Sequence, residues 1–149
     1  MKKICLLVLL CVVAFCTKAQ STYNKALADS LGADEYGMKM YTLVILKTGE
    51  NKTTDKATID SAFKGHMANI GKLAANGKLV VAGPMGKNDK GYRGIFIFNV
   101  KTVAEAQELL KGDPAVQSGI LVAEIYPWYG SAALPLYLSS HQKVQKTKM

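Results

Sequence analysis

Cysteine is absent from everything beyond residue 16. The 149-residue chain has three, Cys5, Cys11 and Cys16, all inside one N-terminal apolar stretch. Without that stretch the chain has no disulfide, no thiolate nucleophile and no cysteine-based metal site. Histidine is almost as scarce. Of His66 and His141, the second lies in a basic tail, so the core holds one imidazole. That argues against a histidine-built metal centre, and nothing besides His66 offers an axial ligand for haem. No phosphate-binding loop, dinucleotide-binding glycine fingerprint or serine-centred elbow is present. The expectation is therefore no metal and no cofactor. A long apolar span is also missing. The run Ile4 to Cys16 is about thirteen residues, short of the ~20 that cross a bilayer.

That run has the form of a secretory signal. Met1-Lys2-Lys3 supplies a basic start, and Thr17-Lys18-Ala19 places small residues before a cut at Gln20. Residues 1–19 are expected to be a signal peptide, leaving no stable membrane span. The destination is the periplasm or the medium. Lipidation at Cys16 is the lesser alternative, because Phe15 stands where such sites prefer a small residue. Losing Lys2, Lys3 and Lys18 lowers the formal charge from +8 to +5, and Lys143, Lys146 and Lys148 carry much of the remainder. An exported chain whose excess charge sits in its tail has a solvated basic surface rather than a nucleic-acid face.

What remains suits one domain. Residues 20–39 read as a polar extension with a short helix over 22–31. Residues 40–47 form a strand apolar on both faces, as for a strand covered on both sides. Residues 56–76 form a helix with Ile59, Phe63, His66, Ile70 and Leu73 on one stripe, ended by Gly77 as a left-handed cap. Residues 79–82 are a short strand stopped by Gly83-Pro84, and residues 92–100 complete a hairpin. Thr102 and Glu105 form a capping box for a helix to Lys111. A fourth strand covers 120–128, and residues 131–149 read as a C-terminal tail after a domain of 40–130.

Strand, helix, strand, strand, helix, strand is the ferredoxin-like βαββαβ order, or split βαβ. It is an α+β fold with a four-stranded antiparallel sheet and helices on one face. The other face is still apolar, with too little chain left to cover it. A homodimer burying sheet against sheet is expected.

His66 and Asp113 are the candidate catalytic residues. An imidazole on an apolar stripe and a carboxylate in a Gly112-Asp113-Pro114 turn form an acid–base pair if the fold joins them, the carboxylate orienting the ring. Each has a plainer role open to it. His66 can bond a backbone carbonyl and fill its helix face. Asp113 followed by Pro114 is a standard helix start. Gly83 and Pro84 line a pocket or merely end a strand. Arg93 offers an anion contact and Tyr41 a phenol donor, making these four the candidate substrate-binding residues.

The chain resembles the YCII-related (YciI-like) family of the dimeric α/β-barrel superfamily. The resemblance spans Met40 to Trp128. Its parts are the Tyr41–Lys47 strand, His66-Met67 with Leu73 and Gly77, Leu79-Val80-Val81-Ala82-Gly83-Pro84, Tyr92-Arg93-Gly94, Ala104-Glu105-Ala106, Asp113-Pro114 and Pro127-Trp128. It implies the ferredoxin-like fold, dimerisation through the sheet and a pocket holding His66 and Asp113. It also implies enzymes acting on small cyclic or aromatic compounds, lyase-type eliminations among them. Many members carry a second histidine three residues after the first. This chain has Asn69 there, which argues against a two-histidine mechanism. The leading expectation is an exported small-molecule enzyme using a His–Asp pair for elimination or isomerisation. The alternatives are a non-catalytic ligand-binding module and a structural dimer of the cell envelope.

Overall fold

The computed structural model describes residues 22–147, so the expected signal peptide lies outside the described residues. Four strands build one antiparallel sheet: β1 (Met38–Thr48), β2 (Leu79–Pro84), β3 (Tyr92–Phe98) and β4 (Leu121–Ser131), in the order β2-β3-β1-β4. Helix α1 (Lys25–Leu31) precedes β1, and α2 (Lys56–Ala75) crosses from β1 to β2. Between β3 and β4 come α3 (Val103–Leu110) and the single turn α4 (Pro114–Gln117). The order and pairing are those of the ferredoxin-like α+β fold expected from the sequence.

Local chemistry sets the helix ends. Asp55 caps α2 by accepting from the Thr58 amide, and Gly77 follows its end at a φ of 66°, a left-handed conformation that costs glycine little. Thr102 and Glu105 form the reciprocal capping box of α3. The capping aspartate of α4 is Asp113, with Pro114 in the first turn.

Strand alternation divides the sheet into two faces. Val44, Leu46, Leu79, Phe96 and Phe98 join Ala62, Leu73, Ala106, Leu110 and Ala115 of the helices in the main core. Tyr41, Val80 and Ile97 form a second, smaller buried cluster, with Leu43, Val81, Trp128 and Leu134 packed against it.

The far face departs from the expectation of too little chain to cover it. Within the segment read as a C-terminal tail lie a 3-10 turn (Leu134–Tyr137) and helix α5 (Leu138–Val144). Leu134 packs on the far-face cluster, and the Tyr137 hydroxyl donates to the Val80 carbonyl. Cover is partial. Tyr126, opposite Leu43, and Val122, opposite Lys47, remain 47% and 48% exposed.

β1 runs from Met38 to Thr48 rather than 40–47, and two edge strands outrun the sequence reading through prolines. β4 continues through Pro127 to Ser131 because it lies on the sheet edge, where proline is tolerated. β2 runs through Gly83 and Pro84 for the same reason. The N-terminal extension is anchored by Asp34, which accepts from the Tyr36 and Met38 amides at 2.9 Å each and from the Tyr129 hydroxyl. Among the described residues no helix is long and apolar enough to cross a membrane.

Candidate functional site

The main core contains one polar pair. His66 is 8% exposed and Asp113 is completely buried. The Nδ1 of His66 lies 2.7 Å from Oδ2 of Asp113. The other carboxylate oxygen accepts from the Ala115 amide at 3.0 Å and the Val116 amide at 3.3 Å. Asp113 therefore fills both roles open to it, capping α4 with one oxygen and holding the imidazole with the other. The backbone-bonded alternative for His66 does not apply.

Glycine makes the meeting possible. Gly65 precedes His66, and Pro114 follows Asp113. A Cβ added to Gly65 would lie 2.6 Å from Cγ of Pro114, so only hydrogen lets α2 and α4 approach this closely. Sequence reasoning missed Gly65. The available signal was a glycine inside a helix, where it costs about 1 kcal/mol relative to alanine without a packing reason.

A carboxylate can only accept hydrogen bonds, so facing Asp113 it takes the proton of Nδ1. When the ring is neutral, that choice leaves Nε2 as a lone-pair base. Among the described residues Nε2 has no hydrogen-bond partner and is not sealed away from the surface. His66 lines a cavity of about 280 Å³. Its ring is fixed from two sides, stacked on Phe96 with centroids 5.7 Å apart and edge-on to Phe63 at 6.0 Å.

Leu46, Phe63, Met67, Ile70, Ala82 and Phe96 supply apolar wall, and Gly83, Pro84 and Arg93 complete it. Three of the four expected substrate-binding positions thus join His66. Phe96 and Met67 were not foreseen as lining residues.

The fourth, Tyr41, does not join them. It belongs to the far face, is completely buried, and donates its hydroxyl to the Ser131 carbonyl at 2.9 Å. Burial pushes its phenol above the ordinary tyrosine range. The reason is parity: Leu46 faces the cavity, and residues an odd number of positions away along β1 face the other side. Asn69 also avoids the cavity. Its side-chain oxygen lies 3.2 Å from where a Cβ on Gly112 would be, against the turn after α3.

Arg93 arrives by an irregularity. β1 and β3 pair Leu46 with Gly94 and then Lys47 with Tyr92, leaving Arg93 as an extra residue. Regular alternation would send Arg93 to the far face with Ile95 and Ile97. The bulge releases it, and its guanidinium lies 5.9 Å from the Phe63 ring centre. Among the described residues no group of three or more His, Cys, Asp or Glu side chains could hold a metal ion.

Residues 40–129, more than half the chain, match the YCII-related domain family. The chain belongs to the YCII-related family. No curated protein matches it. Among solved structures, this YCII-related protein is similar to the 5-chloro-2-hydroxyhydroquinone dehydrochlorinase of Burkholderia phenoliruptrix, in complex with 2,5-dihydroxybenzoquinone. The two are 22% identical, with 58% of this chain and 92% of that one covered and a TM-score of 0.42.

Proposed function

We propose that this YCII-related protein is an enzyme that moves a proton on a small cyclic substrate. Nε2 of His66 takes a proton from a substrate carbon. Asp113 holds the ring in the required tautomer and faces the imidazolium that forms. In an isomerisation the same nitrogen returns the proton to a different carbon. In an elimination the electron pair expels a leaving group on the neighbouring carbon. One observation carries this reading: the His66 ring has one nitrogen fixed on a buried carboxylate and the other without a partner among the described residues, beside a cavity whose wall is apolar apart from His66 and Arg93.

The test uses simple probes. Wild-type protein is expected to speed isomerisation of cyclohex-3-enone to cyclohex-2-enone, followed by absorbance, or α-deuterium exchange of cyclohexanone, followed by NMR. His66→Gln should lose about 10²–10⁴ of that acceleration, the usual contribution of a general base. Equal rates in both proteins would sink the catalytic reading. The second reading, a binding module, is favoured by the capping bonds of Asp113, which build the pair whether or not chemistry occurs. It predicts saturable ligand binding without acceleration.

The protein is further proposed to be exported and to pair through its far face, with Tyr126 and Val122 at the contact. N-terminal sequencing of the protein from cell fractions tests the first point. A monomer in light scattering at micromolar concentration would count against the second.

A further inference from the structure

We infer that the cavity selects a small organic anion: an apolar, single-ring body carrying one acidic oxygen group, held by Arg93. This deepens the proposal above by naming the substrate class, and it rests on the cavity being a ligand site. Three observations converge on it. First, the cavity wall is apolar except for His66 and Arg93. A neutral polar ligand would find few partners there, whereas a ligand with one anionic end and an apolar body is matched at both.

Second, Arg93 has no acidic partner and makes no hydrogen bond through its side chain among the described residues. It lies over Phe63, 5.9 Å from the ring centre, where the ring face steadies the charge, and no side chain or carbonyl among the described residues engages the N–H groups along its edge. The planar fork of that edge matches a carboxylate or similar oxyanion. By contrast, Lys47, which follows Leu46 in β1, is already engaged at 2.8 Å by Glu124. It points with Glu124 to the far face, so it does not compete for the ligand.

Third, the backbone departs from regular pairing at this residue. The extra residue in β3 turns Arg93 out of the strand alternation and toward the wall shared with His66. A bulge that re-aims a cation into a cavity is expected where the cation has a ligand to meet. The volume of about 280 Å³ limits the guest to roughly one ring, just below the usual small-ligand range of ~300–1,000 Å³. With the acidic oxygen on Arg93, the ring of such a guest lies among Phe63, Phe96 and His66.

The experiment compares benzoate with benzamide, an uncharged molecule of the same shape. Binding to the full chain is measured by calorimetry and by shifts of the His66 ring signals. Wild-type protein is expected to bind benzoate at least tenfold more tightly than benzamide, with the preference shrinking as salt is raised. Arg93→Met keeps much of the side-chain bulk and removes the charge. It should bring the two affinities within about threefold, and an unchanged circular dichroism spectrum and urea midpoint show that the variant is folded. Arg93→Lys should restore part of the preference. Equal binding of both probes by wild type, or an undiminished preference in Arg93→Met, would overturn the inference and leave the cavity as a ligand site. Failure of both probes to bind the wild-type protein would overturn both.

Discussion

Gly65 faces Pro114 where helix α2 packs on the single turn α4, so closely that a Cβ on Gly65 would lie 2.6 Å from the proline Cγ. The two residues flank His66 and Asp113, so the contact fixes the distance between imidazole and carboxylate.

Gly65→Ala is therefore a test of alignment rather than of stability alone. The new methyl group overpacks against the proline ring, at a cost of about 1–3 kcal/mol, and the gain in helix propensity returns about 1 kcal/mol of it. The expected outcome is a small loss of stability in urea titration together with a clear loss of the hydrogen-bonded Nδ1 proton signal of His66. Pairing it with Pro114→Ala, which removes Cγ, should restore part of that signal. An unchanged signal in Gly65→Ala would show that the helices have room to spare.

Asp113→Asn keeps an oxygen to cap α4 but turns an NH₂ group toward His66. The imidazole must then accept at Nδ1 and carry its proton on Nε2, which removes the base from the cavity. Ligand binding should survive, while cyclohex-3-enone isomerisation should fall by about 10²–10⁴. Nitrogen NMR of the ring reads the tautomer directly, and a proton still on Nδ1 would contradict the assignment.

Asp34 ties the N-terminal extension to β4. The Tyr129 hydroxyl, then the Met38 and Tyr36 amides, hold its carboxyl below the ordinary value of 3.8. A carboxylate depressed on folding contributes stability that is present above the unfolded value and is lost as pH falls through the folded one. The extension should stay docked at neutral pH and loosen only in acid, below about pH 4. Tyr129→Phe should raise the Asp34 midpoint, as followed by its carboxyl carbon signal, and move the loosening to higher pH. An unmoved midpoint would assign the depression to the backbone amides alone.

Leu134→Ala probes the cover over the far face. Leu134 is partly buried against Tyr41, Val80 and Ile97, so the loss should be about 1–3 kcal/mol, at or below the low end for a fully buried leucine. Benzoate binding in the cavity should not change, because the sheet stands between the two. A weakened affinity would show that the faces are coupled.

Much of this molecule was legible because the residues that matter follow regular periods. The stripe through Phe63, His66 and Ile70 turns one face of α2 inward, and the Asp113-Pro114 step marks a helix start wherever it falls. The remainder depended on features without a period. β1 is apolar on both sides, so its pattern does not tell which face meets the helices, and Tyr41, expected among the substrate-binding residues, belongs to the face away from the cavity. The position of Arg93 follows from one extra residue in β3, visible only when the strand is paired with β1. Leu134-Pro135-Leu136-Tyr137 has no helical or strand repeat. What orders it is contact with the far face, through Leu134 packing and the Tyr137 bond to Val80.

Trp128, the chain's single tryptophan, packs against Tyr41 on the far face, the two rings tilted and their centroids 5.7 Å apart. Its emission is an optical channel for that face alone. Pairing of chains there, or lifting of the Leu134 turn, should shift the indole spectrum. Filling the cavity on the opposite side, where the aromatic rings are phenylalanine and histidine, should leave it dark to the event. The two faces of one sheet can thus be followed separately in the same cuvette, with no added label.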